Sequence, residues 1–182
     1  MHSPLNLSPE IKLIVSDFDG IFTDNSIYIF EDGKSAKKVS YKDLMGVSVA
    51  IKNGIKVAII SGSHAGAIDT LSEKFELAGA FQGIRNKLPV LEELLVKNGL
   101  KPSEILYMGD DVNDIECLKY AGFRVTVKSA NRKVLELENL QITEAPAGDG
   151  AFREVVDALV DLKTQTAADL VQQACGAEAG SA

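Results

Sequence analysis

Short apolar runs that stop abruptly at an acidic residue, a serine or a glycine recur along this chain, and segments of helical spacing separate them. Residues 11–16, 55–60, 80–82, 105–108 and 123–127 are runs of this kind, the pattern of strands buried on both faces. Between them Leu44, Val47, Ser48 and Ile51, then Ala65, Ile68, Leu71 and Phe75, then Leu88, Leu91, Leu94 and Leu95 recur at helical spacing, with Asn53-Gly54 and Asn98-Gly99 as stop signals. The same pattern predicts helices from about 113 to 120 and from about 151 to 162. Such alternation predicts an α/β fold: a doubly wound, Rossmann-like parallel sheet with helices on both faces. Right-handed crossovers bring every strand-to-helix loop to one sheet edge, where open α/β proteins bind ligands. Asp17, Ser61 and Asp110 all fall on that edge.

One segment breaks the rhythm. Residues 26–30 and 37–41 flank Glu31-Asp32-Gly33-Lys34, and Asp-Gly between strand-like runs signals a β-hairpin. A two-stranded hairpin is barely stable alone, so the apolar Ile27, Ile29 and Val39 call for a partner surface such as a second subunit. The insertion spans 26–41 and leaves no room for a large cap domain. One domain over residues 10–163 is expected. Residues 1–9 and the Ala-, Gln-, Thr- and Gly-rich 164–182 are expected to be flexible termini.

Charge and composition exclude several classes of function. With 19 Lys+Arg against 26 Asp+Glu, the formal charge is −7, which repels phosphate backbones and anionic membranes, so neither nucleic acid nor membrane is an expected partner. No apolar run approaches the roughly 20 residues of a membrane helix, and the first ten residues hold no apolar signal region, so a cytoplasmic protein is expected. Cys117 and Cys175 form neither a metal-spaced pair nor a disulfide framework. No glycine-rich dinucleotide fingerprint or P-loop is present.

The loops carry the chemistry. Asp17-Phe18-Asp19-Gly20 sets two carboxylates two positions apart beyond the first strand, and Asp110, Asp111 and Asp114 follow the fourth. Five carboxylates at one edge repel one another unless a cation neutralises them, and hard oxygen ligands of this kind suit Mg2+ together with a substrate phosphate. Ser61, with the amides that follow it, and Lys87 supply donors and positive charge for phosphate oxygens. A carboxylate facing phosphorus can attack it to give an aspartyl phosphate, while a second, protonated one serves the departing alkoxide. Asp17 and Asp19 fit those two roles. Other residues have plainer readings beside the functional one. Asp114 suits support or helix capping, Asp24 a turn, and Lys37, Lys38 and Lys42 a solvated hairpin face. His64 suits a helix cap or the surface, and Arg153 either an anion or an acidic neighbour on its own helix.

Asp17-Phe18-Asp19-Gly20-Ile21-Phe22-Thr23-Asp24, Ile59-Ile60-Ser61-Gly62, Lys87 and Gly109-Asp110-Asp111 with Asp114 resemble, in order, the four signature motifs of the haloacid dehalogenase superfamily of phosphatases. The small insertion, Phe81-Gln82-Gly83-Ile84-Arg85-Asn86-Lys87 and Gly148-Asp149-Gly150-Ala151-Phe152-Arg153-Glu154 are similar to its capless 3-deoxy-D-manno-octulosonate 8-phosphate phosphatases, over roughly residues 10–163. The resemblance implies a Mg2+-dependent phosphomonoester hydrolase of lipopolysaccharide sugar synthesis, a homotetramer whose hairpins pack together. It implies Asp17 as nucleophile and Asp19 as general acid and base. Asp17, the Asp19 carbonyl and Asp110 would be metal ligands, Asp111 and Asp114 supports, and Ser61, Gly62 and Lys87 the phosphate site. Ser63, His64 and Arg153 are candidates for binding the rest of the substrate. Members of this group usually carry an arginine where Ser63 stands, Gly-Gly at Ala147-Gly148, and Arg-Asp-Gly at Lys42-Asp43-Leu44. These departures bear on substrate, and they leave phosphatases of nine-carbon keto sugar acid 9-phosphates or other small metabolites as alternatives. A phosphoaspartate receiver and a non-catalytic binding protein are the alternatives of different class. The receiver accepts phosphate after its third strand, which here ends in Gln82-Gly83.

Overall fold

The computed structural model describes residues 5–179. Six strands form one parallel sheet: β1 (Leu13–Ser16), β4 (Lys56–Ile60), β5 (Gly79–Phe81), β6 (Ile105–Met108), β7 (Phe123–Thr126) and β8 (Gln141–Ile142). Their order across the sheet is β5-β4-β1-β6-β7-β8, with β1 central and paired in parallel to β4 and β6. All four residues of β1 are buried, which is why the run reads as continuously apolar rather than alternating. The chain winds outward from β1 to β5, then returns past β1 to β6. With right-handed crossovers this reversal puts helices on both faces and opens a crevice at the carboxyl ends of β1, β4 and β6.

The helices are α1 (Tyr41–Lys52), α2 (Gly66–Lys74), α3 (Leu88–Asn98), α4 (Ile115–Tyr120), α5 (Arg132–Leu135) and α6 (Ala151–Ala179). α1 packs against α6 and α3 against α4. Ser40 caps α1 by accepting from the Lys42 amide, and Gly99 ends α3 in the left-handed conformation, φ 64°. A buried carboxylate fastens α1 to the start of α6: Asp43 accepts from the amides of Gly150 at 2.9 Å and Arg153 at 3.1 Å. Burial pushes the Asp43 carboxyl up, against the pull of these backbone donors. Under the site, Phe22 lies between Phe18 and Phe152, with ring centroids 5.7 and 4.7 Å away.

The architecture matches the expected doubly wound sheet, and several boundaries differ. The hairpin is antiparallel as expected, but its strands are only β2 (Tyr28–Ile29) and β3 (Ser35–Ala36). The expected strand over 37–41 does not form, because Ser40 diverts the chain into α1 and Tyr41 is that helix's first residue. The helix expected from 113 starts at Ile115, after a tight 3-10 turn, Val112–Asp114. α5 and β8 are too short to produce a periodic signal. The last helix does not stop near Leu162 but runs to Ala179; residues 164–175 contain neither Pro nor Gly to end it. The expectation for the two termini falls partly on 1–4 and 180–182, outside the described residues.

Candidate active site

The backbone of β1 continues its pairing one residue past the strand: the Asp17 amide donates to the Met108 carbonyl at 2.8 Å. This carries the Asp17 carboxylate to the crevice between the loops that follow β4 and β6. There Phe18 donates its amide to Asp17 Oδ1 at 2.6 Å, and Lys87 Nζ meets Oδ2 at 2.7 Å. Lys87, just before α3, is completely buried and also donates to Asp114 Oδ1 at 2.8 Å. A buried ammonium persists only if fully paired, and both carboxylates serve that need. Asp114 is saturated in turn. The Tyr107 hydroxyl donates to Oδ1 at 2.8 Å, and the amides of Asp110 and Asp111 donate to Oδ2, each at 3.2 Å.

A second cluster surrounds Asp19. Its Oδ2 accepts from Lys37 Nζ at 2.5 Å and Ser63 Oγ at 2.6 Å, and its Oδ1 accepts from Thr23 Oγ1 at 3.2 Å. Lys37 also donates to Ser63 Oγ at 3.1 Å, and the Ser63 amide to Ser61 Oγ at 3.2 Å. Across the crevice, Asn25 Nδ2 donates to Asp110 Oδ2 at 2.7 Å. Gly20 makes this approach feasible: its φ is +78°, and a Cβ there would lie 2.0 Å from the same Asp110 oxygen.

The electrostatics show a site short of positive charge. Burial, and then the neighbouring Asp114 charge, push the Asp17 carboxyl up to about 8, with Lys87 offsetting only part of it. Burial and Asp114 likewise raise Asp110 to about 6. Burial lowers the Lys87 ammonium, but Asp114 and Asp17 outweigh it and the net shift is upward. Burial would raise Asp19 too, yet its bonds from Lys37 and Ser63 prevail and hold it below the usual carboxylate value. Asp17, Asp110 and Asp114 present oxygens within 4.8 Å of one another. A divalent cation fits this unbalanced cluster. Because Asp114 already accepts four donors, Asp17 and Asp110 are the members with lone pairs to offer it.

These groups open into a cavity of about 370 Å³. Of the residues expected from the sequence, Asp17, Asp19, Ser61, Gly62, Ser63, Asp110 and Asp111 line it, while Lys87 and Asp114 sit behind Asp17. His64 and Arg153 do not line it. His64 lies over Gly83, where a Cβ would come within 2.6 Å of its Nε2, and faces a neighbouring hollow. Arg153 turns its Nε to Asp157 on its own helix at 2.7 Å. Lys38 and Lys42 pair with Asp24 and Asp149 at the surface. Lys37 corrects the expectation of a solvated hairpin face, since its side chain is only 18% exposed and reaches Asp19. Asn25, Arg85 and Asn113 also line the cavity, and Tyr107 supports Asp114. Nothing in their spacing marks them, because the paths of the loops bring them in.

A family model described as haloacid dehalogenase-like hydrolase matches residues 81–154, the stretch bearing Lys87, Asp110 and Asp114, and this is the class that the fold and site define. The 3-deoxy-D-manno-octulosonate 8-phosphate phosphatase of Salmonella typhi is 31% identical over 150 residues, covering 82% of this chain and 79% of that protein. A crystal structure of the Moraxella catarrhalis phosphatase of the same name, in complex with magnesium, phosphate and KDO (3-deoxy-D-manno-octulosonate), matches with TM-score 0.81 and 29% identity. The match covers 90% of this chain and 94% of that one. The Yersinia pestis phosphatase matches with TM-score 0.81 and 29% identity, covering 86% and 84%. The chain belongs to the 3-deoxy-D-manno-octulosonate 8-phosphate phosphatase family of haloacid dehalogenase-like hydrolases.

Proposed function

We propose that this protein removes phosphate from KDO 8-phosphate through an aspartyl phosphate on Asp17. The observation that carries the reading is the Asp17 carboxylate, fixed from two sides by the Phe18 amide and Lys87 at the floor of a polar cavity. Asp17 attacks phosphorus while Ser61, Gly62 and Lys87 hold phosphoryl oxygens. Beside the phosphate dianion of the substrate, Asp19 takes up a proton against the pull of Lys37 and Ser63, gives it to the departing sugar oxygen, then takes one from the water that cleaves the acyl phosphate. Lys37 and Ser63 load one oxygen of Asp19, leaving Oδ1 with a single longer bond, so Oδ1 is the oxygen that moves the proton. Asp17, the Asp19 carbonyl and Asp110 would hold Mg2+, with Asp111 and Asp114 in support; the ion supplies positive charge opposite the phosphoryl oxygens.

The relative crystallised with magnesium, phosphate and KDO supports both cofactor and substrate. The catalytic domain is residues 10–163. Among the described residues no helix is long and apolar enough to cross a membrane, in keeping with a cytoplasmic enzyme of lipopolysaccharide sugar synthesis. The hairpin exposes Ile27, Tyr28, Ile29 and Phe30, each more than half, and this apolar run supports a homotetramer with hairpins at the interface. Purified protein with Mg2+ is expected to release phosphate from KDO 8-phosphate, and Asp17→Asn to lower kcat by about 10⁴-fold or more. Unchanged turnover in that variant contradicts the assignment.

A further inference from the structure

We infer that Arg85 binds the carboxylate end of the substrate and so selects sugar acid phosphates over neutral sugar phosphates; this rests on the reading of the substrate given above. Four carboxylates line the cavity, those of Asp17, Asp19, Asp110 and Asp111, and Arg85 is the one cationic side chain in that lining. The other cations nearby are committed elsewhere. Lys87 is buried between Asp17 and Asp114, and Lys37 is held by Asp19 and Ser63. Among the described residues, no carboxylate forms an ion pair with Arg85.

Its place in the fold suits the far end of a bound ester. Asp17 is buried at the floor, whereas Arg85 is exposed at the mouth, on the loop between β5 and α3. A molecule with its phosphorus at Asp17 therefore presents its opposite end toward that loop. The loop is also held in place, because the amides of Ile84 and Gly83 donate to the carbonyls of Ser61 at 3.0 Å and Ser63 at 3.3 Å. The distance between the phosphate site and the Arg85 backbone is thereby fixed. In KDO 8-phosphate the two anionic groups sit at opposite ends of the sugar, and a guanidinium offers a planar fork that matches a carboxylate bidentately. The polar side chains that share the cavity wall with it and the carboxylates, Asn25, Ser61, Ser63 and Asn113, are neutral.

The test compares wild type, Arg85→Ala and Arg85→Lys on KDO 8-phosphate and on a hexose 6-phosphate, which has the ester but no carboxylate. Arg85→Ala is expected to raise KM for KDO 8-phosphate about tenfold, as for loss of a charged hydrogen-bonded pair at a wet rim. Its kcat should stay within about twofold and its KM for the hexose phosphate should not move. Arg85→Lys, which keeps charge without the fork, should fall between. An equal rise in KM for both substrates would assign Arg85 to the phosphate and overturn the inference, as would no rise at all. Wild type that already treats both substrates alike removes the substrate reading, and the role of Arg85 with it. Wild type that prefers KDO 8-phosphate, together with Arg85→Ala that keeps the preference, sinks the Arg85 inference alone.

Discussion

Two lysines reach the carboxylates proposed for catalysis, Asp17 and Asp19, from opposite kinds of structure. Lys87 comes from the start of α3, with none of its side chain exposed, and closes a network of Asp17, Asp114, Tyr107 and two backbone amides. Lys37 comes from just beyond β3 of a hairpin whose strands are two residues each, and meets Asp19 in a partly wet setting. The floor of the site is thus built into the central sheet, where every buried side-chain polar atom among the described residues has a partner. The hairpin arm lends the site one side chain while showing Ile29 75% and Tyr28 61% exposed. Buried polar networks are rigid when complete and costly when broken, so chemistry that must not move sits on the floor. The hairpin, lacking a core, depends on what packs against it.

The same substitution in both places separates these roles most sharply. Lys87→Met leaves Asp17 and Asp114 facing each other without a cation, and is expected to destabilise the fold by about 3–5 kcal/mol and abolish turnover. Lys37→Met removes a half-wet pair, with an expected cost of about 1 kcal/mol or less and a fall in kcat of about tenfold. Denaturant unfolding and phosphate-release assays check both. Equal losses of stability would erase the contrast between floor and arm.

A smaller effect concerns the acidic floor when metal is removed. Asp17 at about 8 and Asp110 at about 6 both lie above the roughly 3.9 of an unfolded aspartate. For a raised carboxyl the folded state binds the proton more tightly, so this stabilisation is full below about pH 4 and lost as pH rises through about 6 and then about 8. In EDTA the melting temperature should therefore fall between pH 6 and 8, and Mg2+ should raise it more at pH 8 than at pH 6. A Mg2+ shift that is equal at both values, or larger at pH 6, contradicts the acid-cluster account.

How much of this was legible in the sequence follows the same division. β1, β4 and β6 announce themselves because strands buried on both faces are continuously apolar and end where the polar chemistry begins; hence Asp17, Ser61 and Asp110 were found with the strands. Lys87 and Asp114 were legible only as members of a motif, since their mutual ion pair spans 27 residues of sequence. The hairpin was legible from Asp32-Gly33, but its length was not, because Ser40 starts α1 early. Lys37, Asn25, Arg85 and Asn113 lie on irregular segments, where no periodicity says which way a side chain faces. His64 and Arg153 show the converse: polar residues near the right loops whose side chains turn instead toward Gly83 and Asp157.

The central claim is that Asp17 accepts the phosphoryl group. Rapid quench of the Mg2+ enzyme in acid during turnover of KDO 8-phosphate, followed by peptide mass mapping, tests it directly. The account predicts one added phosphoryl group on the peptide containing Asp17, lost in Asp17→Asn. Turnover with no phosphorylated peptide, or with the label on another residue, would contradict it.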